Sequence, residues 1–291
     1  MNGIIIINKE KDYTSNDVVQ IVKKIFNEKV GHTGTLDPMA TGVLPILIGK
    51  GTLLSKYLIN HNKIYVATVK LGIKTDTGDV TGNEIEKSDV LEEVLNKEKV
   101  LEVLDSIKGK QQQIPPMYSA IKINGKKLYE YARKGLTLDV KPREIEIYNT
   151  ELISISKENK EIKFRVSCSK GTYIRTLCEK IGDNLGTIGA MSELEREKAG
   201  DFDISQAIAI DELRENYQNQ EYLEKHLISI EKFFENKKEI SLSPRSFIAF
   251  INGVKLFSDE EDDIYRIYDI NKKFVGIGTV KKGILKRDIV I

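Results

Sequence analysis

Asp37 is the side chain in this sequence best placed to do chemistry. It lies in the run Gly31-His32-Thr33-Gly34-Thr35-Leu36-Asp37-Pro38-Met39-Ala40-Thr41-Gly42-Val43-Leu44-Pro45, over which no helical or alternating apolar period can be laid. The run reads as an ordered loop. Pro38 pushes Asp37 out of the α region into an extended conformation, so its carboxylate projects from a stiff turn. Gly31, Gly34 and Gly42 offer positive φ, or bare backbone that a ligand can approach closely. A single carboxylate on a rigid support, with hydroxyls and one histidine beside it, suits a nucleophile or a general base. A tight Asp-Pro turn explains the same residues with no chemistry at all, because turns also select Asp, Pro and Gly.

Other segments have to position and complete such a site. Ile4 to Ile7 is β-branched throughout and reads as a buried strand. A helix follows, capped by Thr14 or Ser15, with Asp17 in its first turn and an apolar stripe at Val18, Ile21, Val22 and Ile25. Val43 to Ile48 predicts a short strand or turn in its second half, packed under the loop. Lys63 to Leu71 alternates as a strand that places Tyr65 near its start on the core-facing side. Asp89 to Ile107 reads as two short helices, the second capped by Asn96, and Gln111 to Pro116 ends that helical run. Glu144 to Ile155 and Ile162 to Cys168 read as strands. The second runs into Ser169-Lys170-Gly171-Thr172-Tyr173-Ile174-Arg175 and then a helix stopped by Gly186, so Tyr173 and Arg175 sit at a strand-to-helix junction. Gly189 to Phe202 reads as a loop carrying Leu194, Arg196 and Lys198. Ser205 to Phe234 reads as charged helix, Lys237 to Pro244 as a linker, and Phe247 to Ile291 as short strands with glycine turns in a small β-barrel-like appendage.

Composition narrows the classes. A length of 291 residues with 40% hydrophobic content suits one large domain and a small one. Cys168 and Cys178 are too few for a disulfide framework, and the four-residue apolar run at Ile4 to Ile7 is too short for a signal core or a membrane span. Both point to a cytoplasmic protein. The three histidines, His32, His61 and His226, have no partner at metal-ligand spacing, so no metal is expected. Gly49-Lys50-Gly51-Thr52 fails as a phosphate loop in its spacing and in the residue after the lysine, and Thr75 to Asp79 lacks the bidentate ligand of a calcium loop.

The net charge is +1, but it is unevenly spread. Between Pro115 and Arg143, seven basic residues (Lys122, Lys126, Lys127, Arg133, Lys134, Lys141, Arg143) face two acidic ones. Tyr118, Tyr129 and Tyr131 are interleaved with them, a pattern suited to a polyanion, although charge runs are more often solvated faces. An excursion of that length with little core pattern reads as a lid or binding loop. A second basic group, Lys272 to Arg287, is offset by five consecutive acidic residues at Asp259 to Asp263.

Four separated segments carry a resemblance to one family. They are Gly31 to Pro45; Lys63-Ile64-Tyr65; Pro115 to Ala120, continuing through Gly125-Lys126-Lys127-Leu128-Tyr129 and Ala132-Arg133; and Cys168 to Arg175. In these the chain resembles the bacterial tRNA pseudouridine-55 synthases of the TruB type, strongly over residues 3 to 205 and weakly beyond. The resemblance implies an α+β pseudouridine-synthase fold with a mixed, largely antiparallel sheet flanked by helices. It also implies a catalytic domain at 1–236 with an RNA-contacting lid at 115–142, and a PUA-like RNA-binding β domain at 240–291. It implies isomerisation of the uridine at position 55 in the TΨC loop of tRNA, flipped out of its stack. Asp37 would be catalytic, Tyr65 would lie against the flipped base, Arg175 would pair with Asp37, Leu194 would help wall the pocket, Tyr173 would also bind substrate, and His32 would lie near the RNA loop. Lys122, Lys126, Lys127, Arg133 and Arg143 would meet RNA. Tied to that family, the partner is the tRNA TΨC stem-loop, with no obligate protein partner and no cofactor. Glu10, Glu195 and Met191 stand where many relatives have Pro, Arg and His.

The chemistry fits these residues without the label. Breaking a glycosidic bond, turning the base and rejoining it through C5 asks for a carboxylate and a dry, stacked pocket. Attack at C6 of the uracil, attack at C1′ of the ribose and a glycal route all stay open. A non-catalytic RNA binder would leave the Asp-Pro loop idle, and a glycoside hydrolase would need a second placed carboxylate.

Overall fold

The computed structural model describes residues 1–59 and 61–291. Ten strands form one sheet: β1 (Gly3–Lys9), β2 (Val30–His32), β3 (Thr41–Ile48), β4 (Lys63–Leu71), β5 (Gly109–Gln113), β6 (Arg143–Ser156), β7 (Glu161–Cys168), β8 (Gly189–Ala199), β9 (Phe202–Asp203) and β10 (Ile228–Ser229). The order is β10-β1-β3-β8-β4-β7-β6-β5, with β2 paired to β3 and β9 to β8. Every pair is antiparallel except β3 with β8, which meet in parallel at Thr41–Glu195 and Gly42–Arg196. The sheet is therefore mixed and largely antiparallel, as expected.

Its inner strands are buried on both faces, which is why β1 is an unbroken β-branched run. Ile5 and Ile7 join one apolar cluster, Ile4 and Ile6 the other. Helices α1 (Ser15–Phe26), α2 (Lys97–Ser106) and α3 (Ile174–Asn184) bury apolar side chains in the first cluster. Thr14 caps α1 reciprocally with Asp17, and Asn96 caps α2 through the Lys99 amide. On β7, Ile162, Phe164, Val166 and Cys168 are buried while their neighbours are half-exposed, as the alternation predicts.

Several sequence expectations give way. The Gly31–Pro45 loop is shorter than it reads, because Gly31 and His32 belong to β2 and Thr41 to Pro45 belong to β3. Pro45 is tolerated there because β8 pairs with β3 only at 41 and 42 and β2 only at 46 to 48, so residues 43–45 have no strand partner on that side. Gln111 to Gln113 lie in the edge strand β5 and not in a helix end. Residues 189–199 are no loop: they form β8, in the middle of the sheet, and the charged run Glu193 to Lys198 hid it. Part of the expected linker, Glu239–Ser241, is β11 of a second, five-stranded sheet. That sheet continues with β12 (Leu256–Phe257), β13 (Asp263–Tyr268), β14 (Phe274–Lys281) and β15 (Ile284–Val290), and Phe247 lies in a helix, α4 (Pro244–Ile251), not in a strand.

The two sheets share an apolar cluster in which Ile277 and Ile289 pack with Ile4, Ile6, Ile230 and Phe234. Asp288 bonds to Lys56 and Tyr57, and the Tyr268 hydroxyl donates to Glu231 at 2.7 Å. Truncation after Asn236 is expected to leave a folded fragment that keeps its ten strands but exposes this cluster. Burying two isoleucines is worth roughly 3–6 kcal/mol, so the fragment should melt at least about 5 °C lower and bind a hydrophobic dye. An unchanged melting temperature would show that the second sheet adds nothing to the first.

Candidate active site

The loop between β2 and β3 is held from below at each end. Asp37 opens a tight turn, its carbonyl accepting the Ala40 amide at 3.0 Å. Ser15, at the start of α1, grips Leu36 twice: its hydroxyl accepts the Leu36 amide at 2.8 Å and donates to the Leu36 carbonyl at 3.2 Å. Lys9, at the end of β1 and wholly enclosed, donates to the carbonyls of Glu10 (2.9 Å), Tyr13 (2.6 Å) and Pro38 (3.1 Å). Burial lowers its pKa to about 8, against the opposing pull of Asp37. Arg196, from β8, fills the gap beside β3: its Nε donates to the Val43 carbonyl at 2.7 Å and its Nη2 to the Gly34 carbonyl at 3.1 Å. Of the three loop glycines, only Gly42 has positive φ, at 101°. A Cβ there would stand 2.3 Å from the Arg196 carbonyl oxygen.

Arg175 stands in the first turn of α3 and is almost fully buried. Its guanidinium forks onto Asp37, Nε to Oδ2 at 3.0 Å and Nη2 to Oδ1 at 3.3 Å. Nη2 also donates to the Tyr118 carbonyl at 2.7 Å, and Nη1 donates to the Thr77 carbonyl at 2.8 Å, with Asp79 Oδ2 3.9 Å away. Asp37 keeps 33% of its side chain open, toward a cleft of about 300 Å³ that Tyr65, Tyr173, Arg175 and Leu194 also line. Burial among these groups raises the carboxyl pKa above its ordinary value; Arg175 opposes that push, and Asp79 adds to it. Of the two opposing effects, desolvation is the larger. Tyr65 is core-facing on β4, as expected, and burial raises its phenol pKa, as it does that of Tyr173. Gln113 fixes Tyr173 through both main-chain groups, at 2.8 and 3.0 Å.

A second cleft, of about 490 Å³, opens on the other side of Asp37. His32, Tyr118, Ser119, Lys127, Tyr129 and Arg133 line it. Burial lowers the His32 pKa, so the imidazole is neutral at pH 7. Lys127 and Arg133 each lie over the Tyr129 ring, at 5.3 and 5.2 Å from its centroid. Lys122 and Lys126 sit on an exposed hairpin (Lys122–Ile123 with Lys126–Lys127), outside the clefts, and Arg143 starts β6. The site thus joins Asp37, Tyr65, Tyr173, Arg175 and Leu194 on one side, His32, Lys127 and Arg133 on the other. Lys9, Ser15, Asp79 and Arg196 were not picked out as site residues from the sequence. Arg196 shares a strand face with Leu194, two residues earlier, and that spacing was the available signal.

Residues 23–174 match the TruB family pseudouridylate synthase N-terminal domain, and residues 175–235 match the tRNA pseudouridylate synthase B C-terminal domain. The chain is 41% identical to tRNA pseudouridine synthase B of Clostridium kluyveri over 97% of its own length and 96% of the relative's. It is 45% identical to tRNA pseudouridine synthase B of Francisella tularensis over 97% and 92%. Among solved structures, a Cbf5-Nop10-Gar1 complex is similar with a TM-score of 0.67 and 27% identity, over 98% of this chain and 83% of that one. An H/ACA RNP bound to a substrate RNA containing 2′-deoxyuridine is similar with a TM-score of 0.67 and 26% identity, over 99% and 85%.

The loop clamp predicts a stability order. Arg196→Met leaves two buried carbonyls without their donor, each worth roughly 1–3 kcal/mol, partly offset by removal of a buried charge. Arg196→Lys reaches only one of them. Melting temperatures should fall in the order parent, Lys, Met; a Met variant within about 1 °C of the parent would show that the guanidinium is not the anchor.

Proposed function

The chain belongs to the TruB family of pseudouridylate synthases, and from that premise we propose that it converts the uridine at position 55 in the TΨC loop of tRNA to pseudouridine, with Asp37 as the reacting carboxylate. The observation that carries the reading is the two-pronged Asp37–Arg175 pair at the floor of a cleft walled by Tyr65, Tyr173 and Leu194. In the reaction the N1–C1′ bond breaks, a C5–C1′ bond forms, C5 releases its hydrogen and N1 takes up a proton. Arg175 aims the carboxylate and stabilises its charge. Tyr65 offers a flat, buried face to a base turned out of its stack. Such a step gains from exclusion of water, and the buried Tyr65 and Leu194 provide it.

The same reading assigns residues 1–236 to catalysis and the sheet at 239–290 to a PUA-like RNA-binding unit. Lys127 and Arg133 in the second cleft, with Lys122, Lys126 and Arg143 around it, meet RNA phosphates, and His32 meets the RNA loop. The protein works in the cytoplasm on tRNA without an obligate protein partner. Its membership in a family of tRNA-modifying enzymes supports tRNA as the substrate.

Release of tritium from [5-³H]uridine-labelled tRNA tests the assignment. Asp37→Asn keeps the shape but loses the nucleophile, so release should vanish while tRNA still binds through phosphate and stacking contacts. More than a trace of activity would remove Asp37 from the reaction. The raised carboxyl pKa also fixes a sign. The active form is the carboxylate, so kcat/KM should fall as pH drops, with a midpoint above the ordinary aspartate value of about 3.9. A midpoint at or below that value would show that Arg175, and not burial, dominates.

The basic lid predicts a salt effect. If Lys126 and Lys127 neutralise phosphates, Lys126→Glu with Lys127→Glu should weaken tRNA binding and shrink the log-log salt slope by roughly 2, leaving the single-turnover rate at saturating enzyme within about twofold. An unchanged slope would separate these lysines from the RNA.

A further inference from the structure

Among the described residues, two buried side-chain polar atoms have no hydrogen-bond partner, His32 Nδ1 and Ser119 Oγ, and both residues border the cleft beside Asp37. His32 is already part of the site. Ser119 lies in the lid, 5% exposed, and lines both clefts that flank Asp37. Its backbone is fixed on every side. The Ser119 amide donates to the Met117 carbonyl at 2.9 Å, its carbonyl accepts the Tyr129 amide at 3.1 Å, and the preceding carbonyl, that of Tyr118, is held by Arg175 at 2.7 Å. The Tyr173 hydroxyl is near enough for Ser119 to oppose the burial that raises the phenol pKa, yet it closes no bond of ordinary geometry to Oγ. A buried hydroxyl without a partner costs stability, and the arginine that holds Asp37 also holds the backbone carbonyl of the residue before it, Tyr118.

We infer that Ser119 is a substrate-contacting residue: its hydroxyl hydrogen-bonds the polar edge of the flipped uracil when the base enters the cleft. The inference rests on the proposed uridine isomerisation and adds a recognition group to it. A serine hydroxyl can donate to a uracil carbonyl or accept from N3–H, so one side chain suits that edge. Its fixed backbone means the bond is formed without ordering a loose chain, and it strengthens positioning at the reacting centre more than affinity for the whole tRNA. Phosphate contacts dominate that affinity.

The experiment compares parent, Ser119→Ala and Ser119→Thr in single-turnover tritium release from [5-³H]uridine-labelled tRNA at saturating enzyme, with tRNA Kd measured by filter binding. Ser119→Ala should lose about tenfold in rate with its Kd within twofold of the parent, and Ser119→Thr, which keeps the hydroxyl, should recover to within about threefold. A rate for Ser119→Ala within twofold of the parent would overturn the inference. So would a loss that appears equally in Kd and is not rescued by threonine, since that is what a purely structural lid residue would give. Failure of the parent itself to release tritium would instead strike the functional reading, which keeps the two failures apart.

Discussion

The charge that the fold hides from water is gathered around one loop. Among the described residues the buried charged side chains are Lys9, Asp79, Arg175 and Arg196, and each touches or faces the segment that carries Asp37. Counting Asp37, three cations stand against two carboxylates. Removing an ion from water costs several kcal/mol, and a close pair recovers it only when the remaining donors are satisfied. Here they are satisfied largely by main-chain carbonyls: Lys9 holds three, Arg196 two, and Arg175 two besides its carboxylate. Carbonyl dipoles fix the cations in place but do not cancel their charge. The arrangement that stiffens the loop therefore also leaves an excess positive field at the cleft, suited to a polyanion, although the whole chain is nearly neutral.

That clamp depends on a single irregularity in the sheet. β8 runs parallel to β3 for only two residues before the strands part, and β2 takes up β3 again beyond Pro45. In the interval the Val43 carbonyl turns to Arg196. Gly42 makes the parting possible, since its positive φ and missing Cβ let β3 pass within contact of the Arg196 main chain. A regular antiparallel neighbour would have satisfied β3 with backbone alone and left no opening for a guanidinium beneath the loop that carries Asp37.

The sequence displayed the parts of this site that local chemistry dictates. The pre-proline Asp37, the α1 cap at Thr14, the alternation of β7 and the junction holding Tyr173 and Arg175 each follow from rules that act over a few residues. β8 escaped because its alternation, Glu193-Leu194-Glu195-Arg196-Glu197-Lys198, places a charged residue on the buried side, where only long-range carbonyl partners make it tolerable. Lys9 and Asp79 escaped for the same reason: a lysine closing a strand and an aspartate in a polar turn look solvated until residues far along the chain enclose them. The lid hairpin was a different case. Asn124 and Gly125, both at positive φ, form the two-residue turn that such a dipeptide favours, and the signal was present but hidden among lysines.

The lid and the carboxylate are joined through one nitrogen. Arg175 Nη2 serves both the Tyr118 carbonyl, at 2.7 Å, and Asp37 Oδ1, at 3.3 Å, and the shorter bond goes to the lid. The guanidinium is planar, so its orientation is set by the strongest contacts on its edges: Thr77 on one side, Tyr118 on the other, with Nε left to hold Asp37 at 3.0 Å. The position of the lid backbone thereby enters the aim of the carboxylate directly. It also enters its charge, because the lid adds to the burial that raises the Asp37 pKa while steadying the cation that opposes it. A lid seated on Arg175 makes the pocket drier and holds the ion pair at once, so that the carboxylate stays oriented in a site where burial alone would favour its neutral form.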